Sequence, residues 1–466
     1  MTATIVALTT PTGRSSIGVI RLSGGDSLRI ARRLIGDNEF SPAPRVATLR
    51  SIVDQETDET IDEAIFTFFK APHSFTGEDV VEISCHGSPV VLRRVIDLCL
   101  AIGARMAEAG EFSLRALANG RMNLAEAEAL RDLIDAQTVA AARQSVRQLK
   151  GEFSHELQPI KDQLLDVIVL LESALEFVED DLPDLQAESV MKKLRSIADS
   201  IEKIASTFKA GKLIREGLKV AIVGRPNVGK SSLFNALLGT DRAIVTEIAG
   251  TTRDQLHEKL TIGEIPISLI DTAGLRETVD TVESIGVERA RRAMVDADVV
   301  IAMIDVSEPL TPEDAEVLKS AEVLTHCIAL NKIDKLGESQ GQAAAIFHRN
   351  LSESKFQISN LKSRIVPLSA ITGEGLGLLH KAIVEPFAAD DISTSGFLVS
   401  DARHHDLLVR AHAEIEHSLE LLDKKSSEEI TLVGLHNALR FLGQITGETT
   451  AEDMLTRIFS AFCIGK

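Results

Sequence analysis

The spacing of apolar and polar positions divides the chain into four regions that differ in predicted secondary structure. In residues 1–119, short apolar runs at 17–22 and 64–69 predict strands, and residues 89–100 have the pattern of a helix. From residue 120 to 215, apolar side chains recur every three or four positions, which predicts amphipathic helices. We therefore expect an N-terminal α+β domain followed by the first part of a helical domain.

Residues 216–385 have a different pattern, in which continuous apolar runs alternate with helical stretches. The runs lie at 220–223, 267–270, 299–304, 327–330 and 365–368. Continuous apolar strands are typical of a mostly parallel sheet that is covered by helices on both faces. Residues 386–466 return to the helical pattern. The α/β region is therefore predicted to be inserted into a helical bundle domain, of which this C-terminal segment is the second part.

Composition narrows the class of protein further. The 466 residues correspond to about three domains at roughly 150 residues each. The chain carries 50 Lys and Arg residues and 69 Asp and Glu residues, which gives a net charge of −19. A protein that binds polyanions in general would be basic, but a local basic patch is still possible in this chain. Four scattered cysteines predict neither a zinc site nor disulfides, and no signal peptide or long apolar run is seen. We expect a cytoplasmic protein without a membrane anchor.

Residues 224–231 match the GxxxxGK[ST] pattern and lie between a predicted strand and a predicted helix, as this phosphate-binding loop requires. The glycines let backbone N–H groups surround phosphate oxygens, and the helix N-terminus attracts negative charge. Lys230 is expected to contact the β- and γ-phosphates and to act in catalysis, while the Ser231 hydroxyl is expected to bind Mg²⁺. The nucleotide-binding residues predicted in this loop are Asn227, Val228, Gly229, Lys230, Ser231 and Ser232.

Two further motifs identify the base. Residues 331–334 read Asn-Lys-Ile-Asp, and the Asp334 carboxylate can accept hydrogen bonds from N1–H and the amino group of guanine, which adenine does not offer in that geometry. Ser369 and Ala370 follow another predicted strand and place a backbone N–H where guanine O6 would lie. The order of the motifs favours GTP over ATP. The predicted guanine-binding residues are Asn331, Lys332, Asp334, Ser369 and Ala370.

The segment between these motifs is expected to contact the γ-phosphate and Mg²⁺. Asp271 follows a predicted strand and can hold Mg²⁺ through water, while Gly274 allows a backbone N–H to approach the γ-phosphate. Of the adjacent Thr251 and Thr252, Thr252 is the better candidate to complete the Mg²⁺ shell when the γ-phosphate is present. These residues are predicted to form part of the GTP site.

The residue that orients the attacking water is not evident from the motifs. Some GTPases have a glutamine directly after the glycine of the DxxG motif, but Leu275 stands there in this chain. Glu277 and Glu283 both follow in the same segment. The residue pattern alone does not choose between them.

Motifs outside the nucleotide site make a resemblance to one family specific. They are PTGR at 11–14, GVIRLSG at 18–24, GEDVVE at 77–82, GEFSLRA at 110–116 and FCIGK at 462–466. On these residues the chain resembles, over essentially its whole length, the MnmE (TrmE) family of tRNA uridine-modification GTPases. The resemblance implies an N-terminal folate-binding-like domain, a helical domain and an inserted Ras-like G domain.

The resemblance also implies how hydrolysis is catalysed. Members are stimulated by K⁺, and their G domains dimerise across the nucleotide, so that the cation acts where other systems use an arginine finger. The implied K⁺ ligands are Asn227, Thr246, Thr251 and the carbonyl of Ile248. Thr246 and Thr251 are thereby also implied to lie at the bound GTP. The family's water-orienting glutamate matches Glu283.

The implied folate site belongs to the N-terminal domain, which the family also uses for constitutive dimerisation. Its positions match Arg21, Glu82, Arg121 and the terminal Lys466, and the implied ligand is 5-formyltetrahydrofolate or a related folate. Arg121 stands where relatives often have lysine, which keeps the charge but changes its geometry. Cys463 matches a cysteine that is important for modification in the family, and both a catalytic and a buried structural role remain open for it.

The resemblance finally implies a homodimer that works with an FAD-binding partner of the MnmG type, in a heterotetramer or a larger assembly. Together they would convert C5 of the wobble uridine (position 34) of certain tRNAs to carboxymethylaminomethyl or aminomethyl uridine, with a one-carbon unit from folate. Two alternatives remain. One is a ribosome-assembly switch built on the same G domain, and the other is a folate enzyme that the G domain only regulates.

Overall fold

The chain forms two compact units, each with a six-stranded sheet. The first comprises Met1–Arg131, Gln148–Ile168 and Leu432–Lys466, and the second Asp132–Arg147 and Val169–Thr431. The expected multidomain α/β and α fold is confirmed, whereas the individual domain boundaries stay predictions. The structure is a computed structural model that describes residues 3–176, 184–240, 257–270, 294–337, 340–353, 364–387, 396–424, 428–448, 455, 458–459, 462 and 465.

The sheet of the first unit is almost entirely antiparallel. Its strands are β1 (Ile5–Leu8), β2 (Ile17–Ser23), β3 (Thr48–Asp54), β4 (Glu59–Phe69), β5 (Val80–His86) and β6 (Arg105–Met106). They are ordered β3-β4-β5-β2-β1-β6, and among these neighbours β1 and β6 run parallel. The runs at 17–22 and 64–69 correctly predicted β2 and β4.

The two faces of this sheet are covered differently. Helices α1 (Ser27–Ile35) and α2 (Pro89–Ala101) pack on one face, and Ile20 is fully buried in the core between them and the sheet. Successive side chains of a strand point to opposite faces, so the next residue, Arg21, lies on the other face. There it is paired in register with Glu82 of β5. Two of the residues implied for a folate site are therefore neighbours.

The segments before and after the second sheet are helical, as the sequence predicts, and further helices lie between its strands. Beyond α1 and α2, the described helices are α3 (Glu111–Ala118), α4 (Leu124–Asp135), α5 (Val139–Leu149), α6 (Glu152–Glu176), α7 (Asp184–Ser206), α8 (Phe208–Glu216), α9 (Lys230–Thr240), α10 (Pro312–Ala321), α11 (Gln340–Glu353), α12 (Leu376–Val384), α13 (Ala402–Asp423) and α14 (Glu428–Thr446). Among the described residues, no helix is both long and apolar enough to cross a membrane.

A buried ion-pair network joins two of the quoted motifs of the first unit. Arg115 of the GEFSLRA segment is 8% exposed and pairs with Glu111 at 2.9 Å and with Glu78 of the GEDVVE segment, also at 2.9 Å. Burial raises the pKa of Glu111, but hydrogen bonds led by that from Arg105 outweigh this effect and hold the pKa below its usual range. Removing one partner would leave a buried charge uncompensated. These motif residues therefore stabilise the fold.

The sheet of the second unit is mostly parallel, as predicted. Its strands are β7 (Leu218–Val223), β8 (His257–Ile262), β9 (Ile265–Ile270), β10 (Val299–Asp305), β11 (His326–Asn331) and β12 (Arg364–Pro367). They are ordered β12-β11-β10-β7-β9-β8, and only the pair β8–β9 is antiparallel among these neighbours. All residues of β10 are buried, because it lies inside a sheet with helices on both faces.

Charged side chains join three segments of the second unit at α8, the helix that directly precedes β7. Arg215 in α8 forms ion pairs with Asp132 at 2.9 Å and with Asp401 at 2.7 Å. Asp401 also caps α13, since its second carboxylate oxygen accepts the backbone N–H of Arg403 at 2.7 Å. Burial raises the pKa of Asp401, but the charges of His404 and Arg215 and these hydrogen bonds outweigh it and lower the pKa to about 2.

We expect this network to make the second unit sensitive to acid. A carboxylate with a lowered pKa stabilises the folded state above its unfolded pKa, and that contribution is lost as the pH falls through the folded value. A pKa of about 2 against an ordinary 3.8 corresponds to about 2 kcal/mol, lost between roughly pH 4 and pH 2. Urea unfolding should show this loss in the wild-type protein and a flatter pH dependence in Asp401→Asn. Parallel curves for the two proteins would contradict the assignment.

Candidate functional site

The phosphate-binding loop connects the end of β7 to the start of α9. Gly224 and Gly229 have φ values of 158° and 104°, and Asn227 lies in the left-handed region at 63°. A Cβ on Gly224 would lie 2.7 Å from the carbonyl oxygen of Met303, and one on Gly229 would collide with the side chain of Asn331. Both glycines are therefore required by close packing as well as by backbone conformation.

The charged and hydroxyl groups of this loop face the same end of the sheet. Lys230 Nζ donates to the carbonyl oxygens of Gly224 and Arg225, at 2.8 Å each, which holds the ammonium over the loop. Ser231 and Ser232 are exposed in the first turn of α9. The backbone N–H groups and dipole of a helix N-terminus favour an anion, and a serine hydroxyl there suits a hard cation such as Mg²⁺. The predicted P-loop residues are thus brought together as a phosphate and Mg²⁺ site requires.

Asn331, at the end of β11, connects the phosphate loop to the predicted base-binding loop. Its side chain is 3% exposed, and Nδ2 donates to the Val228 carbonyl at 2.7 Å. Its Oδ1 accepts the backbone N–H of Ala370 at 2.9 Å. Ser369 is fully buried beside it, while Asp334, in a 3₁₀ turn after β11, is exposed. Asn331 therefore holds the predicted phosphate-binding loop and the predicted guanine-binding loop in a fixed relative position.

Lys332 is held between the phosphate loop and a strand end that the sequence analysis did not single out. Its Nζ donates to the Asn227 carbonyl at 2.8 Å and pairs with Asp305 at 2.5 Å. Burial raises the pKa of Asp305, but hydrogen bonds from Lys332 and Ser307 outweigh it and lower the pKa below its usual value. Asp305 ends the apolar run of β10, and an acidic residue at the carboxyl end of a parallel strand is the signal that could have identified it.

A second anchor of the phosphate loop was also missed. Arg225 forms ion pairs with Glu308 and, at 3.3 Å, with Asp314. Asp314 belongs to the capping box of α10, in which Thr311 and Asp314 satisfy each other's backbone N–H groups. The hydrogen bond that Arg225 donates to Glu308 is the main reason that its pKa is raised, and the charge of Asp314 adds to this effect. The loop is thereby attached to α10 as well as to the sheet.

The Arg21–Glu82 ion pair of the first unit lies next to two aromatic rings. Arg21 Nη2 is 2.7 Å from Glu82 Oε1, and the guanidinium carbon lies 5.5 Å from the ring centre of Phe75 and 5.7 Å from that of Phe112. Both charged side chains are partly exposed. Arg121, which is exposed, donates from Nε to the carbonyl of Ser74 at 3.1 Å. A carboxylate, two cations and aromatic faces are the groups that a planar, polar heterocycle needs.

Several predicted site residues lie outside the described residues. They are Thr246, Ile248, Thr251, Thr252, Asp271, Gly274, Glu283, Cys463 and Lys466. Close to the C-terminus, Gly465 is described, and a Cβ there would lie 2.5 Å from the carbonyl of Leu8. Gly465 therefore lies against β1, in the unit that contains the Arg21–Glu82 pair.

Comparison with known proteins places the whole chain in one family. A family model described as "GTP-binding protein TrmE N-terminus" matches residues 4–121, and one described as "MnmE helical domain" matches residues 124–463. The tRNA modification GTPase MnmE of Koribacter versatilis is 43% identical over 469 residues, and that of Aquifex aeolicus is 42% identical over 463 residues. Each alignment covers 99% of both chains.

Among solved structures, a single-residue variant of Aquifex aeolicus Era bound to GDP·AlF₄⁻ is 30% identical over 42% of this chain and 66% of that chain, with a TM-score of 0.29. That score is too low to define the overall fold, so the assignment rests on the family models and on the full-length relatives. The chain belongs to the MnmE family of tRNA modification GTPases.

Proposed function

We propose that this protein hydrolyses GTP in a K⁺-stimulated reaction and uses it to modify the wobble uridine of certain tRNAs. One observation carries the proposal. The Asn331 side chain joins the phosphate-binding loop to the base-binding loop at the carboxyl end of a parallel sheet. That edge is where open α/β sheets bind ligands. GTP hydrolysis in tRNA modification is also the activity named for the full-length relatives.

In the proposed hydrolysis, Ser231 and Thr252 would hold Mg²⁺, which would offset the negative charge of the phosphates. Asn227 supports a K⁺ site because its side chain is exposed at the apex of the loop, while its carbonyl is fixed by Lys332. With Thr246, Thr251 and the Ile248 carbonyl, its amide oxygen would hold K⁺ near the bound phosphates. A cation there stabilises the charge that develops on the phosphates. Glu283 orients the attacking water.

Hydrolysis measured with Mg²⁺ in equal concentrations of KCl and NaCl tests this mechanism. We expect K⁺ to raise kcat at least about ten-fold, since the cation takes the role of an arginine finger. Asn227→Gly should lose most of that stimulation, because glycine keeps the left-handed backbone but removes the amide oxygen.

Asn227→Asp is the matched control, since aspartate tolerates the same backbone and keeps a side-chain oxygen. It should retain a K⁺ response. Equal, slow rates in both salts for the wild-type protein would remove the K⁺ mechanism. They would favour the ribosome-assembly switch, which would depend on an external activator.

The first unit supports a folate site. Glu82 can accept hydrogen bonds from the amino groups of a pterin, and Arg21, Phe75 and Phe112 provide a cation and aromatic contacts beside it. Arg121 and Lys466 are proposed to complete the site, and the folate would supply the one-carbon unit. Cys463 is proposed to take part in modification, in the same C-terminal segment.

An exposed apolar surface supports a homodimer through the first unit. Ile17, Leu49 and Ile65 are 59%, 59% and 41% exposed, and the strand registers place them on the same face of the sheet as Glu82. Apolar side chains grouped on an exposed sheet face mark an interface. We expect Ile65→Glu to weaken the dimer by at least about ten-fold in analytical ultracentrifugation, because a charge would be buried there. Val90→Glu serves as control, because Val90 is 79% exposed in α2, which covers the opposite face of the sheet. An unchanged dimer in Ile65→Glu would exclude this face.

The remaining steps follow from family membership and are part of the proposal. The dimer would act in the cytoplasm with an FAD-binding partner of the MnmG type, and the pair would bind tRNA. Opening and closing of the G domains would couple hydrolysis to modification. Loss of tRNA modification in Glu283→Ala, with folate binding intact, would count against a folate enzyme that the G domain only regulates.

A further inference from the structure

A basic cavity lies on the surface of the first unit, and the nucleotide mechanism does not use it. It has a volume of about 430 Å³ and is lined by Pro44, Arg45, Lys70, Ala71 and His73. Three of these five residues carry basic side chains, and all three are exposed. In a chain of net charge −19, such a group is a local exception that attracts anions.

The wall of the cavity is fixed by hydrogen bonds. Arg45 has φ 63°, and its backbone N–H donates to the Phe68 carbonyl at 2.7 Å. Its guanidinium donates to the His73 carbonyl at 3.0 Å. The Asp79 carboxylate accepts a hydrogen bond from the backbone N–H of Ala71 at 2.9 Å, which holds the segment after Lys70 in place. A non-glycine residue in the left-handed region persists only where its surroundings impose it, so Arg45 is held in one backbone conformation at the edge of the cavity.

The loop that carries this cavity also carries part of the candidate folate site. Lys70 and His73 line the cavity, the next residue Ser74 accepts a hydrogen bond from Arg121, and Phe75 lies against Arg21. Two residues of chain span at most about 7 Å. The cavity and part of the candidate folate site therefore belong to one short loop.

We propose that this cavity binds the poly-γ-glutamate tail of folate. The inference rests on the proposed folate function and adds a subsite to it. The tail repeats carboxylates at short intervals, and each added glutamate brings a negative charge that Lys70 and Arg45 can pair with, while the His73 ring can donate a hydrogen bond. The pterin would be held at Arg21 and Glu82, and the tail carboxylates by the basic cavity.

The shape of the cavity favours such a tail over an RNA backbone. Proteins that bind RNA phosphates present many cations along an extended surface. Here three basic residues are grouped around one concavity in an acidic chain. That arrangement suits a flexible ligand with a few closely spaced carboxylates.

Binding of 5-formyltetrahydrofolate with one and with five glutamates to the full-length protein tests the proposal. In calorimetry at low salt, we expect the pentaglutamate to bind about five- to thirty-fold more tightly, since exposed ion pairs contribute modestly but several act together. Added salt should reduce this gain. Lys70→Glu should remove the gain and leave the affinity for the monoglutamate unchanged, because in this proposal Lys70 pairs with the glutamates beyond the first.

Lys150→Glu is the matched control, since Lys150 is exposed in the same unit and does not line the cavity. It should keep the full gain. Equal affinities for both folates in the wild-type protein, or an undiminished gain in Lys70→Glu, would overturn the tail subsite while leaving the folate function in place. Weaker tRNA binding by Lys70→Glu with an unchanged tail gain would reassign the cavity to RNA. Failure of the wild-type protein to bind either folate would refute the folate function itself, and the subsite with it.

Discussion

Replacing Lys230 with alanine is expected to lower kcat for GTP hydrolysis by about a hundred- to a thousand-fold. The ammonium is held over the phosphate loop by the carbonyls of Gly224 and Arg225. A fixed positive charge at that position stabilises the charge that develops on the transferring phosphoryl group, and removing one such group costs about a hundred- to a thousand-fold. Single-turnover hydrolysis with saturating GTP, K⁺ and Mg²⁺ measures this loss.

Lys219→Ala is the matched control for Lys230→Ala. Lys219 is an exposed lysine of β7, the strand that leads into the same loop, and its substitution should leave kcat within about two-fold. Activity in Lys230→Ala above a tenth of the wild-type value would mean that another cation supplies the charge. Arg225 is then the first candidate, because it lies in the same loop.

The phosphate loop could be located from sequence because its determinants are local. Residues 224–231 carry the glycines and the lysine in one continuous segment, directly between β7 and α9. The parallel strands were also predictable, since strands that are buried on both faces appear as unbroken apolar runs. β3, β6 and β8 were not predicted. All three are edge strands, where packing against fewer neighbouring strands constrains the sequence pattern less.

Contacts between distant parts of the chain could not be predicted in the same way. Asp305 and Lys332 are 27 residues apart, and Arg21 and Glu82 are 61 residues apart. Each pair forms only because the strand order and register place two strand ends or two neighbouring residues together. The apolar pattern of one strand does not reveal which strand it pairs with, so these contacts could not be inferred from the pattern alone. The resemblance to a family indicated Arg21 and Glu82 as site residues, but their ion pair is a result of the structure.

Asp334 is expected to decide which nucleotide the site accepts. The short 3₁₀ turn that presents it is anchored by the buried Ile333, whose backbone N–H lies 3.4 Å from the Leu368 carbonyl. In Asp334→Asn, the side-chain oxygen can accept from only one of the two guanine donors, and the NH₂ group would face the other, so that a donor would oppose a donor. We expect GDP affinity to fall by about a hundred- to a thousand-fold, because polar groups in a binding site would be left unpaired.

The same substitution should improve binding of xanthine nucleotides, and this gain separates lost recognition from lost folding. Xanthine has a carbonyl where guanine has its amino group, so the amide that the substitution introduces can donate to it. Titration with fluorescent GDP and XDP measures both affinities. Asp296→Asn, which changes an exposed aspartate of the same unit, should alter neither. If Asp334→Asn lost GDP binding without gaining XDP, the carboxylate would act in holding the loop rather than in reading the base. If it kept GDP affinity, guanine would be selected by a contact other than this carboxylate.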